Sequence, residues 1–309
     1  METLPGVLKI VVPVIIMILI GMVCRKRCII QKQGIAGLKA IIMNICLPVV
    51  LFNAFYQASY SLSIVVITIA MFLASLAAFG LGFAFKKAIR AKEKTFPFLM
   101  TGFEAGMLGY SLYVLLFGAA AVTNIATVDL GQVLFVFTVY LSILNKGKGG
   151  SLKTSLRSMA TSPVIISIIA GVAVGVSGLG ALAGQSAAGD VIQSVLDFIK
   201  APTAAVILLV VGYEIEFHKA NFKLVLAAVF GRLILMCLLG TLVVLVISML
   251  IPVSNDLKWA FVLMFLLPAP YILPVYVESD DESAFISATL SISTVITLIA
   301  FTAMAIYLA

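Results

Sequence analysis

Ten apolar runs, most of them about 20 residues long, account for nearly the whole of this chain. Their approximate limits are 7–23, 36–57, 62–85, 96–118, 122–144, 160–178, 191–213, 222–249, 258–277 and 284–308. A helix of about 20 residues reaches across a bilayer core of roughly 30 Å. The segments between the runs are too short for a soluble domain. Of the 309 residues, 63% are hydrophobic and 11% charged, with a mean hydropathy of +1.22. The first run lacks the basic start and small-residue cleavage site of a signal peptide, so it reads as a spanning helix.

The net charge of +7 is a topology signal rather than a nucleic-acid patch. Cations follow the odd-numbered helices. Arg25, Lys26, Arg27, Lys32 and Lys39 come after helix 1, and Lys86, Lys87, Arg90, Lys92 and Lys94 after helix 3. Lys146, Lys148, Lys153 and Arg157 come after helix 5, and Lys219 and Lys223 after helix 7. The loops after helices 2, 4, 6 and 8 carry almost none. By the positive-inside rule the odd-numbered loops are cytoplasmic and both termini lie outside. The expected setting is the plasma membrane, with the lipid bilayer as a partner and no nucleic acid.

A near-repeat divides the chain. Pro13–Gly21 reads PVIIMILIG and Pro163–Gly171 reads PVIISIIAG, identical at six of nine positions. Helix 2 carries Pro48 and helix 7 carries Pro202, and helices 4 and 9 are both irregular. Each half holds five helices, an odd number, so the halves enter the membrane from opposite sides. The expected fold is an all-α polytopic membrane protein of ten transmembrane helices in a 5+5 inverted repeat. Residues 1–144 form the first repeat, 145–158 a Gly-, Ser- and Lys-rich cytoplasmic linker, and 159–309 the second repeat. Segment 178–190 reads as an external loop and ESDDES, 278–283, as a solvated acidic loop. Duplicated, inverted halves are the mark of secondary transporters, whose site lies at the repeat interface.

Both candidate breaks sit deep. In helix 4, Gly102, Gly106 and Gly109 surround Glu104, and Ser111 follows. In helix 9, Pro268, Pro270 and Pro274 fall within seven residues, which no regular helix accommodates. Glu104 lies roughly 14 Å and Pro268 roughly 15 Å along their helices at 1.5 Å per residue. Non-helical backbone at that depth must be buried in protein or line a watery cavity. The two segments are therefore expected to be discontinuous and to cross, with half-helix N-termini able to hold an anionic group.

The chain resembles the auxin efflux carrier family, in its bacterial branch of small-organic-anion permeases. The resemblance rests on LPVVLF (47–52), GFEAGMLGYSL (102–112), VDLGQ (128–132), SPVIISIIAG (162–171), APTAAVILLVVG (201–212) and LLPAPYILPVYV (266–277), in that order. It implies a fold like that of bile-acid symporters, with a moving part and a scaffold of helices 1, 2, 6 and 7 that also forms the side of a homodimer. It implies a substrate site where helices 4 and 9 cross. Many members read Asn-Thr-Gly-Phe-Leu-Gly-hydrophobic-Pro in helix 4. Here Glu104, Ala105 and Ser111 stand at the Asn, Thr and Pro positions.

Single residues refine the site. Glu104 is the leading coupling residue, since carboxylates at mid-membrane mark ion and proton pathways. The competing reading is a permanently protonated carboxyl bonded to an open turn. Arg232, deep in helix 8, is a candidate partner for Glu104, Asp129 or a substrate carboxylate, or else a structural charge. Asp129 in helix 5 is either a structural partner or an ion-coupling group. The substrate-binding candidates are Glu104, Gly106, Gly109, Tyr110, Ser111, Pro268, Pro270, Tyr271, Asn44 and Asn53. Asp197 and Lys200 read as a surface pair, and Glu214, Glu216 and His218 as a solvated turn.

The expected activity is secondary transport of a small organic anion, a carboxylate, coupled to protons. Sodium coupling of the bile-acid type is the alternative within transport, and a non-transporting sensor the alternative outside it. No metal or cofactor is expected: Cys24, Cys28, Cys46 and Cys237 read as packing residues, and a zinc site needs three or four converging ligands. No nucleophile–base pair argues for an enzyme, and no Gly-rich P-loop for ATP.

Overall fold

The structure is a computed structural model that describes residues 4–56, 62–146, 157, 160–177, 187–216, 221–277 and 279–308. The linker 145–158, the loop 178–190, His218 and Glu278 lie wholly or mostly outside them. Numbered in chain order, the helices are α1 (Leu4–Lys26), α2 (Lys32–Tyr56), α3 (Leu62–Ala88), α4 (Ala105–Phe117), α5 (Ala119–Leu144), α6 (Pro163–Val176), α7 (Gly189–Glu214), α8 (Phe222–Leu250), α9 (Asn255–Leu266) and α10 (Asp280–Leu308). There is no strand among the described residues.

Seven of these helices, α1, α2, α3, α5, α7, α8 and α10, are long and apolar enough to cross a membrane. Their outward faces are greasy, with Leu238, Leu242, Leu245 and Met249 of α8 all exposed. Such a surface is stable only against lipid, so the chain is a multi-pass membrane protein. α6 and α9 are shorter, with 14 and 12 residues, or about 18–21 Å at 1.5 Å per residue.

Local chemistry explains the ends and irregularities. α1 and α3 stop in the same way at their basic ends. Cys28 and Arg90 adopt the left-handed conformation (φ 53° and 55°). Ile29 then donates to the Cys24 carbonyl and Ala91 to that of Lys86, closing Schellman turns. α9 starts on Ser254, whose hydroxyl accepts from the Leu257 N–H at 3.2 Å. In α2 a π-turn at Ile42–Cys46 precedes Pro48. Proline lacks the N–H that would close the ladder there, and the wider turn absorbs the mismatch. α7 is broken at Ala201–Pro202: its first piece ends at Lys200 and its second is Thr203–Glu214.

The two copies of the repeated motif pack in exchanged fashion. α1 lies against the second piece of α7, and α6 lies against the second part of α2. The terminal glycine of each motif makes the close approach. A Cβ on Gly21 would lie 2.1 Å from the Leu209 carbonyl oxygen, and one on Gly171 would lie 2.7 Å from that of Phe52. Without lipid-phase hydrophobic pull, helices associate through such small-residue contacts. Gly21→Ala is therefore expected to lower stability by about 1–3 kcal/mol through overpacking. Gly80→Ala, on an exposed stretch of α3 with open space around it, is the control. Equal thermal unfolding of the two variants in detergent would show the approach to be looser than described.

A second core lies among α3, α5, α8 and α10. Phe79, Phe98, Phe135 and Tyr140 form an edge-to-face aromatic cluster there. It packs around the single turn Phe96–Leu99 that precedes the first break.

Candidate functional site

The chain loses helical form at 100–104, before α4, and again after Leu266, until a short turn at Leu273–Tyr276. The two broken segments cross in contact. Gly102 has φ +68°, and a Cβ there would meet the Pro270 ring at 2.8 Å. Both the backbone angle and the ring exclude a side chain. The Glu104 N–H donates to the Pro268 carbonyl at 2.9 Å, so the crossing is itself hydrogen-bonded.

The Glu104 carboxylate joins the two breaks. It is 8% exposed. One oxygen accepts from the Met107 N–H at 3.1 Å, capping the start of α4. The other accepts from the Tyr271 N–H at 2.5 Å, in the opposite break. A negative group at a helix N-terminus meets both the free N–H groups and the positive end of the helix dipole. No cation is hydrogen-bonded to it among the described residues.

Arg232 deals with the opposite sign. Helix breaks strand carbonyls as well as N–H groups. The guanidinium, 3% exposed, donates to the carbonyls of Leu99 at 2.9 Å, Thr101 at 3.3 Å, Gly102 at 2.5 Å and Leu267 at 3.0 Å. It thus spans both broken segments and also sits over the Phe103 ring. Its hydrogen bonds go to backbone, not to Glu104 or Asp129. Thr297 adds a bond to the Leu266 carbonyl at 2.6 Å.

A polar network approaches from α5. Gln132 exchanges bonds with the Phe103 backbone, accepting at 3.3 Å and donating at 3.2 Å. It also donates to Asp129 at 2.9 Å. The Tyr110 hydroxyl donates to the second oxygen of Asp129 at 2.9 Å. Asp129 is thereby tied to the residue next to Glu104.

Two crevices enter from opposite ends of α2 and α7. The first, about 390 Å³, opens among Arg25, Lys39, Glu214 and Glu216 and reaches Tyr271 and Thr294. Arg25 is ion-paired with Glu216, and Lys39 with Glu214. At its inner end the Tyr271 hydroxyl meets Thr294 Oγ1 at 2.6 Å. The second, about 260 Å³, is lined by Asn53, Tyr110, Ser111, Asp197, Lys200 and Thr203 with apolar neighbours.

The sequence candidates therefore divide. Glu104, Gly109, Pro268, Pro270 and Tyr271 meet at the crossing, where a Cβ on Gly109 would strike Leu267 at 2.7 Å. Gly106 lies beside Leu47 of α2. Tyr110, Ser111 and Asn53 line the second crevice. Asn44 stands apart, exposed and bonded to the Ala40 carbonyl of its own helix at 2.9 Å. Gln132, Thr294 and Thr297 were not among the candidates. Gln132 had a readable signal, lying three residues from Asp129 on one helix face.

No protein-family model matches this chain, and no curated protein matches it.

Proposed function

We propose that this chain is a proton-coupled secondary transporter of a small organic anion, a carboxylate, with the ten-helix inverted-repeat fold that its resemblance to auxin efflux carriers implies. The observation that carries this reading is the Glu104 carboxylate, which accepts hydrogen bonds from N–H groups in both crossing breaks. A buried carboxylate at broken helices is a costly arrangement, and such groups are the usual carriers of protons through membranes.

The exchanged packing of α1 on α7 and of α6 on α2 supports an inverted repeat. The same four helices would be the scaffold, and the crossing with its Arg232 brace the moving part. Crevices that enter from opposite ends of α2 and α7 suit alternating access. Coupling follows from hydrogen-bond polarity. Ionised Glu104 offers an acceptor to each N–H group. Protonation turns one oxygen into a donor facing another donor, so one tie is lost and the two half-helices are free to shift.

The test is uptake of radiolabelled carboxylates by proteoliposomes, with and without an imposed pH gradient. Uptake driven by the gradient is the expected result. Binding without any flux would refute transport and favour a sensor. Flux that follows a sodium gradient and ignores pH would refute proton coupling.

A further inference from the structure

Serine and threonine in these helices mostly return their hydroxyls to the carbonyl four residues back. Ser75, Thr127, Thr289 and Thr302 all do so, at 2.8–2.9 Å. That is the usual refuge of a hydroxyl in an apolar setting. Ser111 and Thr203 depart from the pattern. They are 3% and 7% exposed, and neither hydroxyl has a hydrogen-bond partner. Thr68, Thr95 and Ser142 share that condition but line neither crevice, whereas Ser111 and Thr203 both line the second one. An unsatisfied buried hydroxyl is uncommon enough to call for an explanation, and a ligand is one.

The cavity supplies a cation as well. Lys200 lies at the kink of α7, and its side chain is 17% exposed. Its ammonium meets Asp197 at 2.7 Å; Asp197 also lines the crevice, at its exposed edge, with its side chain 58% exposed. An ammonium has three donors, and this contact uses one. Much of the remaining wall is apolar, with Leu47, Val50, Val114 and Val122, and Asn53, Tyr110 and Asp197 complete it. Glu104 is not part of the lining, and the one carboxylate that is, Asp197, is already paired with Lys200.

We propose that the crevice between α2, α4 and the kink of α7 binds a monocarboxylate with a compact apolar body, whose head is recognised by Lys200, Ser111 and Thr203. The cavity of about 260 Å³ has room for roughly nine groups of water size at about 30 Å³ each. That matches a molecule on the scale of benzoate. A single cation, shared with Asp197, and a largely apolar wall favour one carboxylate over two. The site deepens the transporter reading and rests on it for what the binding accomplishes: the substrate head is held by α7 and α4 while the proton is carried separately at Glu104.

The experiment is calorimetric titration of the purified full-length protein in nanodiscs with benzoate, benzamide and succinate. Benzoate should bind, with benzamide and succinate at least about tenfold weaker. Thr203→Val and Ser111→Ala should each weaken benzoate about tenfold, the usual weight of a hydrogen bond to a charged group. Lys200→Met should weaken it by more. Thermal unfolding of each variant confirms that it is folded. Equal binding of benzoate and benzamide by the wild type overturns the site without recourse to any variant. So does unchanged benzoate affinity in folded Lys200→Met and Thr203→Val. Parallel flux measurements separate the two ideas. Benzoate binding with the expected losses but no flux leaves the site standing and removes transport. Gradient-driven flux with binding indifferent to these substitutions removes the site and leaves transport.

Discussion

Arg232→Met is expected to unfold well below the wild type, with a loss of roughly 3–5 kcal/mol, a large part of the 5–15 kcal/mol typical of folded proteins. The side chain it removes donates to the carbonyls of Leu99, Thr101, Gly102 and Leu267. Methionine fills most of the space and donates nothing. Each carbonyl left buried and unpaired costs about 1–3 kcal/mol before relaxation, and at this depth water is scarce. Arg232→Lys separates charge from geometry. A lysine keeps the positive charge but has a compact ammonium in place of the planar fork, so it cannot serve acceptors on both segments equally well. Its stability should fall between the other two. Thermal unfolding and protease resistance in detergent measure this directly. A methionine variant as stable as the wild type would mean that the crossing does not need the brace.

That brace illustrates what a sequence conceals. The arginine is visible as a deep charge in α8, and the natural search is for a carboxylate. The partners are instead carbonyls, which every residue carries and no residue type announces. They became available because three prolines after Leu266 and the glycines around Glu104 prevent regular helix. Those breakers are legible. The capping of α4 by Glu104 was hidden for the same reason as the brace, since the donors are the backbone N–H groups of Met107 and Tyr271. Asn44 shows the opposite failure. An amide in an apolar helix reads as a site residue, but facing is set by tertiary packing, and α2 turns it outward. Lys200 is visible just before Pro202 and reads as half of a surface pair with Asp197, while Thr203 carries no signal of its own. Only the kink in α7 brings them to a cavity shared with Ser111. Helix count was the coarsest reading. Apolar runs 160–178 and 258–277 gave helices of 14 and 12 residues, because Pro163 starts α6 late and the proline cluster ends α9 early.

Glu104→Gln is the substitution with the largest expected effect on transport. Glutamine has nearly the same shape and cannot release a proton. A transporter that moves one proton with each anion equilibrates it against the proton gradient. One pH unit is about 1.4 kcal/mol, or tenfold in concentration. Wild-type vesicles should therefore accumulate the anion by up to about tenfold per pH unit at one-to-one coupling. The glutamine variant should show no accumulation, with the same slow equilibration whether or not a gradient is imposed. The substitution also has a structural effect. The amide keeps one acceptor for the Met107 or Tyr271 N–H but turns an NH₂ group toward the other, leaving a donor against a donor. Some loss of stability, about 1–3 kcal/mol, is expected, and it lies well below the loss for Arg232→Met. The two consequences are separable, because a merely weakened protein moves less anion in every condition while its response to the gradient persists. Were Glu104 protonated throughout the cycle, glutamine would reproduce its hydrogen bonding, and accumulation would continue as in the wild type. That outcome would make the carboxyl a fixture of the crossing, and the search for the coupling group would pass to Asp129, whose contacts with Tyr110 and Gln132 connect the second crevice to the same backbone.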